Sequence, residues 1–291
     1  MVTVWKSWLI AARPKTLPAA IVPVWSGCLM TVALGFDVSY RLAILTLMGA
    51  IFIQIATNFF NDVIDAAKGA DTSERAGPTR ATASGLLSPK AMYIGAAFML
   101  SQALVCGFLL LNARGWPVIA IGIPSLYLSY GYTGGPFPLA YRGLGELFVI
   151  LFFGLLAVMG TIFIQTGLWL WQGGVLGLQI GCLSAVLIAV NNYRDLEEDE
   201  LADKRTLVVR WGRKPVASLI FFMTILPSLL VLVFDDSQPW FIAASVLALI
   251  FLLIELKLLR PNGTSSRLLG LSALHLIPVS YTHLRAHETQ S

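Results

Sequence analysis

Apolar residues in this chain are gathered into eight nearly uncharged runs, near 16–35, 41–61, 91–112, 116–132, 144–166, 174–193, 216–234 and 239–259. Each is long enough, or nearly so, to cross a hydrocarbon core that needs about 20 helical residues. In lipid the backbone must satisfy its own hydrogen bonds, so runs of this length become helices. Only 12% of the residues are charged, against about 25% in soluble domains, and a soluble core would not need so many uncharged runs. The expected fold class is therefore all-α, a multi-span transmembrane helical bundle. The start, Trp5-Lys6-Ser7-Trp8, is too short for a cleaved leader and reads as an interfacial helix.

The basic residues set the topology. If the spans alternate from the N-terminus, 17 Lys and Arg fall on the N-terminal side and only Arg41 and Arg114 on the other, with Arg285 in the tail. That bias places the first side in the cytoplasm, so the chain is expected to be an integral membrane protein with its basic loops on the cytoplasmic face. The net charge of +4 reports this topology and gives no nucleic-acid signal. Cys28, Cys106 and Cys182 lie inside apolar runs without zinc spacing. His275, His283 and His287 are all C-terminal, which argues against a histidine-held zinc or di-iron centre. There is no P-loop and no dinucleotide-type glycine pattern.

The chemistry is concentrated in two acidic stretches at span ends, 58–65 and 191–199. Asn58 and Asp62 are matched by Asn191 and Asp195, each pair offset by 133 positions, a spacing that suggests duplication of a four-span unit. Residues three or four apart share a helix face, so Asp65 joins Asp62 and Asp199 joins Asp195. If the two ends meet, four carboxylates converge on the cytoplasmic side. Hard oxygen donors of this kind suit Mg²⁺, which keeps several waters and shares its other positions with substrate phosphates. Asp62, Asp65, Asp195 and Asp199 are thus expected to be catalytic and metal-binding. Asn58 and Asn191, one turn deeper, are expected at the metal or a diphosphate oxygen, and Asn61 and Asn192 in the substrate pocket.

Lys68, Arg75, Arg80, Arg194 and Lys204, with Arg205 beside them, surround the acidic sets. They can grip a diphosphate, or simply mark the cytoplasmic side. Tyr127, Tyr130, Tyr132 and Tyr141 flank the helix-breaking Gly134-Gly-Pro-Phe-Pro138. Their faces can stabilise a developing carbocation, or form an interfacial aromatic belt. Tyr130 and Tyr132 join the expected substrate pocket. Glu146 is a carboxylate just inside a span, where a buried charge is costly and points to function. The polar loops at 62–89, with a short helix expected around 72–75, and at 195–214 are long enough to serve as binding lids. A transporter would carry its acids mid-span in broken helices, whereas these lie at span ends.

At these residues the chain resembles the UbiA superfamily of intramembrane prenyltransferases, and within it the branch that uses 1,4-dihydroxy-2-naphthoate in menaquinone synthesis. The matching stretches are Arg13-Pro-Lys-Thr-Leu-Pro18, 58–71, Tyr132-Thr-Gly-Gly-Pro-Phe-Pro-Leu139 with Gly143-Leu-Gly-Glu146, and 191–212 including Lys204-Arg-Thr-Leu207. The likeness covers roughly residues 10–275. Two departures stand out. Gly69 occupies the place of a further Asp in the wider superfamily's first block, with Asp71 two residues on. A Tyr-x-x-x-Lys element of other branches has no counterpart, since Gly134 follows Tyr130, so another residue must supply that positive charge.

The resemblance implies nine transmembrane helices around a central cavity, with the two acidic loops over its cytoplasmic mouth and a lateral opening for the prenyl chain. It implies Mg²⁺ as cofactor, and polyprenyl diphosphate, 1,4-dihydroxy-2-naphthoate and the lipid bilayer as partners. The reaction implied replaces the ring carboxylate by the prenyl group, with loss of carbon dioxide and diphosphate. A sister activity on 4-hydroxybenzoate or homogentisate would share the same metal chemistry. A ninth span should begin near Arg267, but only 268–277 is apolar. The expected division is a single membrane domain over 1–280 and a foreign or read-through tail over 281–291.

Overall fold

The computed structural model describes residues 3–71 and 79–230. The expected eighth span, the truncated ninth and the tail at 281–291 lie outside the described residues, as do the short helix expected at 72–75 and Arg75.

Helix α1 (Val4–Ala12) is the expected amphipathic entry segment. It stops at Arg13, whose backbone is left-handed at φ 50°, and a single 3₁₀ turn follows before α2 (Pro18–Ala33). The two helical parts are bent by 51° at this break. Then come α3 (Tyr40–Ala67), α4 (Pro89–Arg114) and α5 (Pro117–Gly131). Ser39 and Ser88 cap α3 and α4 by accepting from the N–H of Leu42 and Ala91. Helix α6 (Gly145–Thr166) contains a π-helical stretch at Ile150–Leu156. Helix α7 (Trp171–Arg194), two short helices, α8 (Leu196–Leu201) and α9 (Leu207–Trp211), and α10 (Arg213–Leu230) complete the described chain. The described residues contain helices and turns and no strand.

Among the described residues four helices, α3, α4, α6 and α7, are long and apolar enough to cross a membrane, or five if the bent N-terminal pair counts as one span. Helix α5 follows the expected run but is shorter, at 15 residues. Their outward faces are apolar: Trp25, Ile44, Phe98, Phe108 and Ile123 are all more than half exposed. Such a surface is tolerated in lipid and not in water. The chain is an integral membrane protein.

Helix α7 is central, with 78% of its apolar window buried against 22% for α3 and α4. Its glycines at 173, 177 and 181 form a small-residue stripe that lets helices approach closely. A Cβ on Gly154 would lie 2.3 Å from the Gly177 carbonyl oxygen and 2.5 Å from Gly181 Cα. The π turn of α6 is therefore pressed directly against the backbone of α7. One apolar cluster joins α7 to α9 and α10, a second joins α2, α6 and α7, and a third joins α1, α3 and α4.

Hydrogen bonds between distant segments gather at two ends of the bundle. At one end Arg114 donates to the carbonyls of Ile164 and Gln165, at 2.6 and 2.7 Å, and Ser39 N–H donates to Gln165 Oε1. One of the two basic residues on the sparsely charged side thus neutralises the C-terminus of α6. At the other end lie the polar segments 68–71, 79–88, 132–144 and 195–212, and both acidic stretches.

Candidate active site

Three of the four acids stand at helix C-termini, and Asp199 lies in the first turn of α8. Asp62 and Asp65 occupy the last turns of α3, and Asp195 is the residue that ends α7. A helix C-terminus carries a partial negative charge, so carboxylates there are unfavourable without cations. All four acids are nonetheless buried, at 1% exposure for Asp62 and 2% for Asp199. Tyr141 joins the two sets. Its hydroxyl donates to Asp65 Oδ1 at 2.9 Å, and Lys68 Nζ lies 3.8 Å from its ring centroid, with Lys204 Nζ at 5.8 Å.

Two lysines balance part of this charge. Lys204 pairs with Asp199 at 3.2 Å. Burial pulls its pKa down, but Asp65 and Asp199 outweigh burial and hold it above the ordinary lysine value. Lys68 donates to the Thr133 carbonyl at 2.9 Å. A positive charge from the end of α3 is thereby brought onto the segment that lacks the expected Tyr-x-x-x-Lys lysine. Burial lowers the Lys68 pKa, Asp65 opposes the shift and Lys204 adds to it. Asp199 remains under-compensated: burial pushes its carboxyl up to about 6, Lys204 opposes, and Asp195 and Asp65 push further up. The Tyr141 hydroxyl is also pushed far up, by burial and then by Asp65.

The residues expected at the site have sorted themselves into different tasks. Asp62 accepts backbone N–H bonds from Ala81 at 3.0 Å and Thr82 at 2.8 Å, and faces Arg13 at 3.7 Å. It therefore anchors the loop over the mouth as well as adding charge. Asn58, expected at the metal or diphosphate, instead has its amide committed. Its Nδ2 donates to the Ala12 carbonyl and to Thr16 Oγ1, and its Oδ1 accepts from Gln54. It fastens the N-terminal segment to α3. Arg194 embraces Asp195 with both nitrogens, Nη2 to Oδ2 at 2.7 Å and Nε to Oδ1. Arg205 is exposed and pairs with Asp203. Asn61 accepts from the Thr133 hydroxyl, Asn192 donates to Glu146, and Tyr130 packs edge-on against Phe60. Tyr127 is 60% exposed and faces outward.

The Gly69 departure has a structural reason. Gly69 adopts φ +75°, and the N–H groups of Ala70 and Asp71 both return to the Asp65 carbonyl. This tight turn brings Asp71, buried at 5% exposure, against Arg80 at 2.9 Å. Asp71 thus enters the charged cluster from a shifted position. Arg13 is a further member, legible in the sequence as a topology charge and as the start of a family-like stretch but not as a site residue. Its left-handed backbone is costly for a non-glycine residue, and its guanidinium reaches Asp62. Thr133, like Arg13, lay in a family-like stretch, but nothing in its local pattern pointed to its contact with Asn61.

A cavity of about 460 Å³ lies between α2, α3, α4, α5 and α6. Its wall is almost wholly apolar and includes Phe148, Phe152, Leu126 and Ile164. Gln54, the partner of Asn58, lines it too.

The donors fit a hard divalent cation. Asp199 Oδ2 and Asn191 Oδ1 are buried without a hydrogen-bond partner among the described residues. Among those residues no three acidic, histidine or cysteine groups close around one point. An ion here would take one or two protein oxygens and fill its shell with water and phosphate oxygen, as Mg²⁺ does.

A cluster of buried acids and lysines beside an apolar cavity in a helical membrane bundle marks an intramembrane enzyme. The chain belongs to the UbiA prenyltransferase family, whose model matches residues 20–275. It is 35% identical over 242 residues to a Mycobacterium tuberculosis 1,4-dihydroxy-2-naphthoate octaprenyltransferase, covering 83% of this chain and 82% of that protein. A Haemophilus influenzae enzyme of the same description is 34% identical, over 71% of this chain and 70% of that one. In fold it is similar to a UbiA homologue from Archaeoglobus fulgidus solved with DMAPP and Mg²⁺, with TM-score 0.66 and 15% identity, covering 96% and 99% of the two chains.

Proposed function

We propose that this protein transfers a polyprenyl group from polyprenyl diphosphate to 1,4-dihydroxy-2-naphthoate. Carbon dioxide and diphosphate are released, and demethylmenaquinone is formed in its quinol state. The observation that carries this reading is the meeting of the two acidic stretches around Tyr141, which donates to Asp65 and lies under Lys204, the partner of Asp199, in a chain 35% identical to enzymes described with that activity.

The diphosphate sits at the charged mouth. Lys68, Lys204 and Arg80 bind its oxygens, with Arg194 released from Asp195; Arg75, outside the described residues, is assigned the same role from the sequence. Asp62, Asp65, Asp195 and Asp199, with Asn191, hold Mg²⁺, and Asn58 keeps the N-terminal segment in place. Bound Mg²⁺ supplies charge neutralisation to the leaving diphosphate. The prenyl chain lies in the cavity, whose 460 Å³ is in the range of about 300–1,000 Å³ usual for ligand pockets. Apolar walls exclude water, which protects the electron-poor allylic carbon from hydrolysis. The aromatic acceptor binds between Asn61, Tyr130, Tyr132, Asn192 and Glu146. The face of Tyr132 stabilises positive charge as the allylic bond breaks. The charge bias of 17 to 2 supports a cytoplasmic orientation of this mouth, in a bacterial inner membrane.

The test supplies membranes holding the protein with labelled polyprenyl diphosphate and, in turn, 1,4-dihydroxy-2-naphthoate, 4-hydroxybenzoate and homogentisate. Label is expected on the naphthoate product. Preferential prenylation of either other acid would overturn the acceptor assignment.

A further inference from the structure

Glu146 borders the acceptor site proposed above, but no chemical step there uses its carboxylate. It opens α6 and is only 3% exposed. Its Oε1 accepts from Asn192 Nδ2 at 3.0 Å, while its Oε2 is buried with no hydrogen-bond partner among the described residues. A buried carboxylate oxygen without a donor is costly and persists where a ligand supplies the donor. No basic side chain pairs with it among the described residues, in contrast to Asp71, Asp195 and Asp199.

Its position is equally specific. Asn192 stands three residues before Asp195, on one face of α7. The Tyr132 hydroxyl feels burial first, then Glu146, then Asp65 and Asp199, and is pushed well above its ordinary value. Tyr132 packs on Phe148 at 5.3 Å, and Phe148 lines the cavity. Glu146 therefore stands between the charged mouth and the prenyl cavity. An aromatic acceptor must lie at that boundary for its ring to meet the allylic carbon.

We propose that Glu146, oriented by Asn192, is the proton acceptor for the acceptor's ring hydroxyl next to the carboxylate-bearing carbon. This rests on the reaction assigned under Proposed function. The Glu146 carboxylate takes the hydroxyl proton. The naphtholate electron pair forms the new bond from the carboxylate-bearing carbon to the allylic carbon, while the allylic carbon–oxygen bond breaks and diphosphate leaves. The ring carbon now carries both groups, and the neighbouring oxygen is a ketone. Loss of carbon dioxide returns its bonding pair to the ring and leaves an oxyanion, which takes the proton back from Glu146. The proton is lent and returned, so the step needs no outside acid, base or oxidant. The four aspartates are poorly suited to the task because each already faces a cation or backbone N–H groups.

The experiment uses the full chain in nanodiscs with Mg²⁺. Glu146→Gln keeps size and an acceptor for Asn192 but cannot take the proton. Its prenylation kcat is expected to fall by about 10²–10⁴-fold, with the KM for prenyl diphosphate within about twofold. With an unreactive prenyl diphosphate analogue, wild-type protein should show the red-shifted absorption of bound naphtholate, and the Gln variant that of neutral naphthol. Formate should restore at least about tenfold of the activity lost in Glu146→Ala, by replacing the missing base. Glu146→Gln turnover within about threefold of wild type, equal bound-acceptor spectra, or parallel loss of prenyl diphosphate binding would each overturn the assignment to Glu146 alone. Failure of the wild type to prenylate the naphthoate would instead overturn the proposed reaction, and this role with it.

Discussion

Replacing Asp62 by Asn separates charge from shape at the most enclosed acid of the site. Asp62 uses both oxygens as acceptors, for the N–H groups of Ala81 and Thr82 at 3.0 and 2.8 Å. Asparagine offers one oxygen and an NH₂ that can only donate, so one backbone N–H must face a donor. The loss is one charge-assisted hydrogen bond, about 1.5–3 kcal/mol, plus an orphaned buried N–H, about 1–3 kcal/mol. Together these amount to about 2.5–6 kcal/mol of local stability in the segment over the mouth. At about 1.4 kcal/mol per tenfold change, the open form of this loop should gain roughly two to four orders of magnitude in population. Hydrogen exchange by mass spectrometry in nanodiscs reads this on peptides covering 79–87. Those peptides should exchange much faster, while peptides within α4 and α7 remain unchanged. Turnover should also fall by at least about 10²-fold, since the acid adds charge at the mouth. Wild-type protection at Ala81 and Thr82 in the variant would refute the anchoring argument, whatever the activity.

Asp195→Asn and Asp199→Asn should each lower turnover by at least about 10²–10³-fold with normal protein levels, and the double variant should be little worse, because groups acting as a unit are non-additive; near-normal turnover in either single variant would remove that aspartate from the site. Chelation should abolish activity and added Mg²⁺ restore it, measured in the same membranes; activity that survives thorough chelation would contradict a divalent cation in the mechanism. Cysteines at Ser84 and Leu201, both exposed on the acidic end, should react with an impermeant thiol reagent only when it reaches the cytoplasmic face; labelling of intact cells would reverse the topology. Gly154→Ala places a Cβ 2.3 Å from the Gly177 carbonyl oxygen, an overpacking worth about 1–3 kcal/mol or more, so thermal unfolding in detergent should shift down; an unchanged midpoint would mean that the α6–α7 contact is looser than described.

The sequence by itself determined the helices, the membrane setting and the place of the acids along the chain. Partition into lipid depends on local composition, and the expected runs near 41–61, 91–112, 144–166 and 174–193 each became a helix in the expected place. The break at Gly134 to Pro138 was legible because Gly and Pro act on their own backbone. The tertiary structure decided which polar groups answer which. Asn58 and Asn191 look alike in sequence, yet Asn58 is saturated by Ala12, Thr16 and Gln54 while Asn191 Oδ1 is buried without a partner among the described residues. Asp62 was legible as an acid, but not as the anchor for two N–H groups 19 and 20 residues away. Tyr141 bridges to Asp65 across 76 residues, and Glu146 meets Asn192 across 46. Helical periodicity fixes only neighbours within a turn or two. A hydrogen bond between helices depends on where the whole bundle sets their axes, and small glycine contacts such as Gly154 on Gly177 fix that spacing.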